Sequence, residues 1–490
     1  MRFRTILPAL LLGAAATGCA DLNVTNPNSP SAQTFWKTSN DAELGINAAY
    51  NGLLNNGVYG RWIGFVLDGR ADDAFSTSPW TDLQNFNKFT LGSYDFDVNR
   101  ETWIHTYQTI FRANQVIENV PGISMDATLK NQIVGEAKFI RALMYFNLVV
   151  NYGGSIPLQL TASVPSDRPG SAGEAAVWTQ IEKDLNEAMA ALPTSYDPRG
   201  PDVGRATSGA AQGMLGKALL QQKKWAAASA VLAPVITSGR YRLIANYAEN
   251  FTSMNENNNE SLFEVQFGDR SLLPLGVRGL NIAKLIGPCG PSFCDLKPRQ
   301  WYFDQFSLEP TVGGGVDPRR DVTIFHQGST DVYGQTFAQR YGAGSTELFF
   351  KKYGEYYIPG DQDWDAAINY RVLRFADVLL MQAEALNEQN LTTQAYPFVD
   401  SVRVRVGLPR LTAGMTQAQM RSEILHQRLL EFGLEGSRWL DLRRQNLLDK
   451  PTLITHDDEF NFFFPNKSEL LPIPTSEINL NPNVHQNPGY

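Results

Sequence analysis

Cysteine and histidine are scarce in this 490-residue chain. There are three cysteines, at positions 19, 289 and 294, and five histidines. His105, His326, His426, His456 and His485 show no ligand-like spacing, so a zinc site has no ligand set to draw on. A basic excess is also missing: 42 Lys and Arg stand against 50 Asp and Glu, for a net charge of −8. With no long Lys/Arg run, a nucleic-acid partner is excluded. Beyond the first residues no segment reaches the roughly eighteen uninterrupted apolar residues that a spanning helix needs. What is present is 43% hydrophobic and 19% charged residues with 40 Gly and 27 Pro. That is a globular, loop-rich profile, long enough for several ordinary domains or one helical array.

The N-terminus reads as an export signal. Arg2 and Arg4 precede an apolar run from Ile6 to Ala16, too short to cross a bilayer, and Gly18-Cys19 follows as a processing site. GAAATGCA also allows cleavage after an Ala-x-Ala motif, but a small residue directly before cysteine resembles the bacterial lipobox, in which Cys19 becomes the lipidated terminus. We therefore expect a signal peptide over 1–18 and an Asn/Pro-rich tether over 19–38. A single folded unit is expected over 39–490, with an N-terminal part to about 260 and a C-terminal part from about 261. In an oxidising, exported setting Cys289 and Cys294 are expected to form a disulfide, contributing about 2 kcal/mol across so short a loop.

Helical periodicity begins at the capping cluster Ser39-Asn40-Asp41. Residues 55–99 carry many aromatics among Gly, Ser, Asp and Asn with no sustained period. Trp103–Val120 and Ala127–Tyr152 resume the helices, and TSGAAQGMLGKALLQQKKWAAASAVLAPVITSG reads as a second helix pair with its turn at Lys223-Lys224. This pair is similar to a tetratricopeptide repeat, with lysine where the repeat has glycine between its helices. SLFEVQF alternates like a strand, the residues to 360 are Gly/Pro-rich, and helices return at Tyr370. The closing Pro/Asn-rich stretch excludes a helix of any length there.

RSEILHQRLLEFGLEGSRWLDLRR, residues 421–444, sets charge beside core-type side chains. Glu431, Glu435 and Asp441 offer a carboxylate pair of the kind glycoside hydrolysis uses. Arg428, Arg438, Arg443 and Arg444 are in reach, however, and guanidinium pairing holds carboxylates ionised. The expectation is a structural ion-pair network of Glu431, Glu435, Arg438, Asp441, Arg443 and Arg444.

Several blocks, taken in order, resemble the SusD/RagB family of nutrient-binding outer-membrane lipoproteins. They are the Gly18-Cys19 lipobox, GEAKFIRALMYFNLVVNYGGSIPL (135–158), DPRRD (317–321), VLRFADVLLMQAEALNE (372–388), VRVRVGLP (402–409), EFGLEGSRWLDLRR (431–444), LLPIPTSEINLNPN and QNPGY. The resemblance covers nearly all of the mature chain. It departs where the family's Trp-Gly after the last arginines is Gln445-Asn446, and in the middle loops. It implies a mostly α fold, an α-α superhelix of four tetratricopeptide-like helix pairs with loop-rich and minor β insertions. It also implies a non-enzymatic, cofactor-free role at the outer membrane, facing the cell surface: capture of oligosaccharides, or of peptides in some members, over a SusC-like TonB-dependent transporter.

Sugars present apolar C–H faces ringed by hydroxyls, so their capture needs aromatic platforms flanked by polar side chains. Trp80, near Asp82 and Asn85, fits that composition in FSTSPWTDLQNF. Trp62, near Arg61 and Asp72, is the second candidate, and Trp301 and Trp364 follow by composition. Asp72-Asp73 alone lacks the further oxygen ligands of a calcium loop.

Overall fold

The computed structural model describes residues 35–164, 166–198, 200–268, 279–448 and 458–490, so the export signal, Cys19 and most of the tether lie outside them. Thr38 opens α1 (Ser39–Gly52): its hydroxyl accepts from the Asp41 amide while the Asp41 carboxylate accepts from the Thr38 amide. Along the chain follow α2 (Trp62–Asp68), α3 (Thr81–Asn87), α4 (Asp97–Asn119), α5 (Ala127–Tyr152), α6 (Glu174–Ala191), α7 (Ser208–Gln221) and α8 (Trp225–Thr237). Among the described residues the middle holds only short helices, α9 (Ile282–Ile286), α10 (Gln300–Gln305), α11 (Arg319–Thr323) and α12 (Phe337–Tyr341). Then come α13 (Phe375–Glu388), α14 (Thr392–Arg405), α15 (Gln417–Phe432), α16 (Arg438–Arg444) and α17 (Thr475–Leu480). The last is a six-residue helix that forms in the closing stretch where the sequence reading expected none, between the Pro474 that opens it and the Asn481-Pro482 that ends it. Among the described residues no helix is long and apolar enough to cross a membrane.

The long helices pack in series. α1 lies on α4, α5 on α6, α7 on α8 and α13 on α14, and each pair touches the next. This is the four-pair helical array that the resemblance implies. Its close approaches depend on small residues: a Cβ on Gly216 would overlap Leu232 of α8, and one on Gly213 would press on Leu262 and Leu373. At the α7–α8 turn Lys223 adopts φ +58°, the left-handed conformation that glycine supplies without strain. The first pairing differs from the sequence reading, because α5 has its most extensive contact with α6, a helix whose periodicity went unread.

Three two-stranded antiparallel sheets fasten the insertions. β1 (Ala74–Phe75) pairs with β3 (Lys297–Pro298), β2 (Ser261–Val265) with β6 (Tyr370–Arg374), and β4 (Ile324–Phe325) with β5 (Phe349–Phe350). The β2–β6 pair joins the two ends of the middle insertion, and β1–β3 ties that insertion to the segment after α2. That segment is also more ordered than its composition suggested. Residues 55–99 contain a π-helical turn at Asn56–Gly60 as well as α2 and α3, all too short to show a period in sequence.

The carboxylates of residues 421–444 are locked from several directions. Glu431 meets Arg405 at 2.6 Å, Arg374 at 3.0 Å and Arg319 at 3.3 Å. Glu435 pairs with Arg374 at 2.8 Å and with Lys352 at 3.0 Å. Asp441 is held at 2.8 Å by both Arg428 and Arg444, and Arg444 also grips Glu384 on α13 at 2.7 Å. Arg438 pairs with Asp72, while the Arg443 guanidinium donates to the Val150 carbonyl on α5. Only Asp441 takes its cations from within this stretch. Glu431 and Glu435 take theirs from β6, α14, α11 and the loop at Lys352, because the helix presents them to elements far away in sequence. Burial by itself would raise the carboxyls of Glu431 and Asp441, but the guanidinium groups around each outweigh it and hold both below the usual range. A general acid needs the opposite shift.

Candidate functional site

Where α2 begins, Arg61 projects between two indoles. Its guanidinium lies 5.0 Å from the Trp62 ring centre and 4.7 Å from that of Trp364. Trp62 in turn meets Trp80 edge to face, with ring centres 6.0 Å apart, and Trp364 meets Phe293 at 5.7 Å. Trp80, Trp62, Arg61, Trp364 and Phe293 therefore form one continuous row. Its two ends are open: Trp80 is 37% exposed and Phe293 49%. Arg61 and Trp364 are half-buried between them.

Each member of the row is held by local structure. The Trp80 amide donates to the Ser78 hydroxyl at 3.0 Å, and Gln84 braces the same turn by donating to the Ser78 carbonyl. Asn281 donates to the Trp364 carbonyl at 2.7 Å, next to the bridge between Leu280 and Ala366. Phe293 sits inside a loop closed by a disulfide between Cys289 and Cys294. Its amide donates to the Lys284 carbonyl at 2.9 Å, and the Lys284 ammonium lies 5.5 Å from its ring centre. The platform thus comes from three segments, near residues 61–80, 284–294 and 361–366.

The sequence candidates divide accordingly. Trp80 is in the row and exposed, Trp364 is in the row but half-buried against the core with Arg61 over its ring, and Asp82 and Asn85 lie partly exposed on α3, just beyond Trp80. Trp62 is corrected from platform to foundation. It is 1% exposed and its indole donates to Glu101 at 2.8 Å, so its faces are spent on packing. Asp72 is likewise corrected: it is buried, and both its oxygens are taken by Arg438 at 2.7 and 2.8 Å. Trp301 is half-buried on α10, packed against the core. Phe293 was missed, because its loop was read only for its cysteines. An aromatic inside a short Gly/Pro-rich, disulfide-closed loop was the available signal.

What the row supplies is a stepped apolar surface with donors and acceptors at its edges, suited to flat, hydroxyl-rimmed ligands. Comparison with known proteins agrees with the fold that carries it. The SusD family model matches residues 290–490, and a second model, described as starch-binding and associating with the outer membrane, matches residues 26–220.

The chain belongs to the SusD family. SusD-like protein P25 of Formosa agariphila is 25% identical, with 98% of each chain covered. The starch-binding protein SusD of Bacteroides thetaiotaomicron is 24% identical, covering 84% of this chain and 82% of its own. Among solved structures, a SusD superfamily protein of Bacteroides vulgatus superposes with a TM-score of 0.84 at 27% identity over 93% of this chain and all of its own. A laminarin-binding SusD-like protein does so with a TM-score of 0.77 at 29% identity, again over 93% of this chain and all of its own. The blocks that carried the resemblance, apart from Gly18-Cys19, all fall inside those two matches, and the row lies outside the blocks, in the segments around residues 61–80, 284–294 and 361–366.

Proposed function

We propose that this SusD-family chain captures oligosaccharides, without chemistry, along the row from Trp80 to Phe293. The observation that carries the reading is that row: two exposed aromatic ends joined through Arg61 and Trp364 on fixed loops. Relatives described as starch-binding and laminarin-binding support the ligand class. Asp82 and Asn85 are the polar groups we assign to sugar hydroxyls near Trp80.

If one indole face loses roughly 100 Å² to a sugar, the gross gain is about 2.5 kcal/mol. Ordering costs offset much of it, so a few such faces give affinities from about micromolar to millimolar, suited to capture and handover. We assign residues 1–18 to a lipoprotein signal, Cys19 to the lipid anchor, 19–38 to the tether and 39–490 to one binding unit. The unit is held at the outer membrane, facing outward, beside a SusC-like TonB-dependent transporter that receives the ligand. Hydrolysis by Glu431, Glu435 or Asp441 is disfavoured, since all three are buried within ion pairs.

A glycan panel tests the reading by calorimetry with wild type and with Trp80→Ala plus Trp364→Ala. Binding by wild type and its loss in the double variant are expected. Absence of binding to every glycan, or binding that the double variant retains, would sink it.

A further inference from the structure

A cleft of about 510 Å³ opens on α4 and shares no lining residue with the aromatic row. Its floor is one helix face: Ile104, Tyr107 and Phe111 recur at helical spacing, with Trp103 beside them. Its walls are the segments at residues 157–164, 166–169 and 477–484. Those walls are fixed in advance. The Tyr107 hydroxyl donates to the Pro157 carbonyl at 2.8 Å, and Asn114 donates to the carbonyls of Gln159 and Thr161 at 3.0 and 2.9 Å. Asn481 and Asn483 close the far side by donating to the carbonyls of Pro169 and Arg168, each at 2.8 Å. A site formed before its occupant arrives loses little to ordering.

Into this aromatic cleft points a carboxylate, Glu477. It is half-buried and, among the described residues, has no basic partner. Asp95 lies near it and is engaged by the Ser476 amide and hydroxyl, so the neighbouring charge is negative too. Burial raises the Glu477 carboxyl, and a hydrogen bond donated by the Trp103 indole favours the ionised form. Arg168, the basic residue in the lining, donates to the Asp167 carbonyl at 2.8 Å. A half-buried carboxylate with no cation beside it keeps acceptor capacity for one, and an aromatic cleft around it suits a cation carried on an apolar stem. The rim adds a second condition. Val164 and Leu480 flank the mouth 56% and 64% exposed, more apolar surface than a small amine inside the cleft would cover.

We propose that this cleft docks an extended polypeptide segment of a partner through one arginine or lysine side chain. The cation meets Glu477, the methylenes lie across Tyr107 and Phe111, and the flanking residues cover Val164 and Leu480. The site is independent of glycan capture.

The probe is a blocked pentapeptide, acetyl-Ala-Leu-Arg-Leu-Ala-amide, titrated into the full chain by calorimetry. Its controls are the citrulline isostere, which keeps the shape without the charge, and acetyl-arginine-amide alone. Submillimolar binding of the arginine peptide is expected. The isostere should bind at least about tenfold more weakly, and Glu477→Gln should lose the same factor with an unchanged Tm. Leu480→Ser, at an exposed position, should weaken the pentapeptide several-fold and leave acetyl-arginine-amide unaffected, which keeps the test open if Glu477→Gln lowers the Tm. Trp80→Ala should change none of these values. Equal binding of the isostere, no peptide binding at millimolar concentration, or acetyl-arginine-amide binding as tightly as the peptide would each overturn the proposal.

Discussion

Asp72 and Arg438, 366 residues apart in sequence, form a two-pronged ion pair at 2.7 and 2.8 Å. Four residues from Asp72, the Asp68 carboxylate accepts from the Gly436 amide at 3.0 Å. The segment that carries Trp80 is therefore clamped directly to the break between α15 and α16. Asp72→Asn leaves the Arg438 guanidinium buried without its counter-charge and should cost about 3 kcal/mol in urea unfolding. Arg438→Met combined with Asp72→Asn should cost less than the sum of the single changes.

Trp80→Ala should reduce glycan affinity about tenfold with little loss of stability, since it removes an exposed ring, whereas Trp364→Ala should reduce affinity at a greater cost in stability, because that ring also packs against the core and under Arg61. Trp62→Ala should behave differently. Removing a buried indole should cost about 3–5 kcal/mol of stability, read as a fall in the urea midpoint.

Asp73 gives the stability a distinctive pH dependence. Burial, with Asp72 next to it, raises its carboxyl from 3.8 to about 7, and its Oδ1 finds no hydrogen-bond partner among the described residues. Between those two values the folded chain binds the proton that the unfolded chain has lost, so this group makes stability rise as pH falls from 8 towards 4. Asp73→Asn should therefore stabilise the chain at pH 8 by on the order of 3 kcal/mol, with the gain vanishing near pH 4. Urea midpoints at pH 4, 6 and 8 measure it. Equal midpoint shifts at all three values would refute the assignment.

Reduction of the Cys289–Cys294 disulfide, or Cys289→Ser, releases the loop that presents Phe293. The global cost should be no more than about 2 kcal/mol, because the closed loop is short. Glycan affinity should fall several-fold, and titrations with and without reductant make the comparison.

Lys223 occupies a left-handed turn position at φ +58°. Lys223→Gly should relieve that strain and stabilise the chain by about 1 kcal/mol, less whatever the Lys223 bond to Asn446 contributes. Thermal unfolding should show a small rise in Tm.

The sequence was readable where a signal repeats or concentrates. The α7–α8 pair carries helical periodicity on both sides of its turn, and the Glu431–Arg444 charges stand out against an apolar stripe. The partners of those charges were not readable. Arg374, Arg405 and Arg319 lie on other elements, and only the folded array brings them to Glu431. Burial was legible only in part: Trp62 leads the apolar run IGFVL and α2 turns it inward, while Trp80 stands among Ser, Thr, Asp and Gln and the Ser78 turn leaves it at the surface. The site as a whole escaped for a related reason. Its aromatic side chains come from segments roughly 70 to 300 residues apart, where no local pattern records their meeting.

The two insertions that carry the row both return to where they left. α1 packs on α4 around one, and β2 pairs with β6 around the other. A loop whose ends are already neighbours can be exchanged for one of another length and shape without moving its scaffold. With the row as the proposed site, exchanging these inserts on an unchanged helical frame would be the route to a different ligand preference.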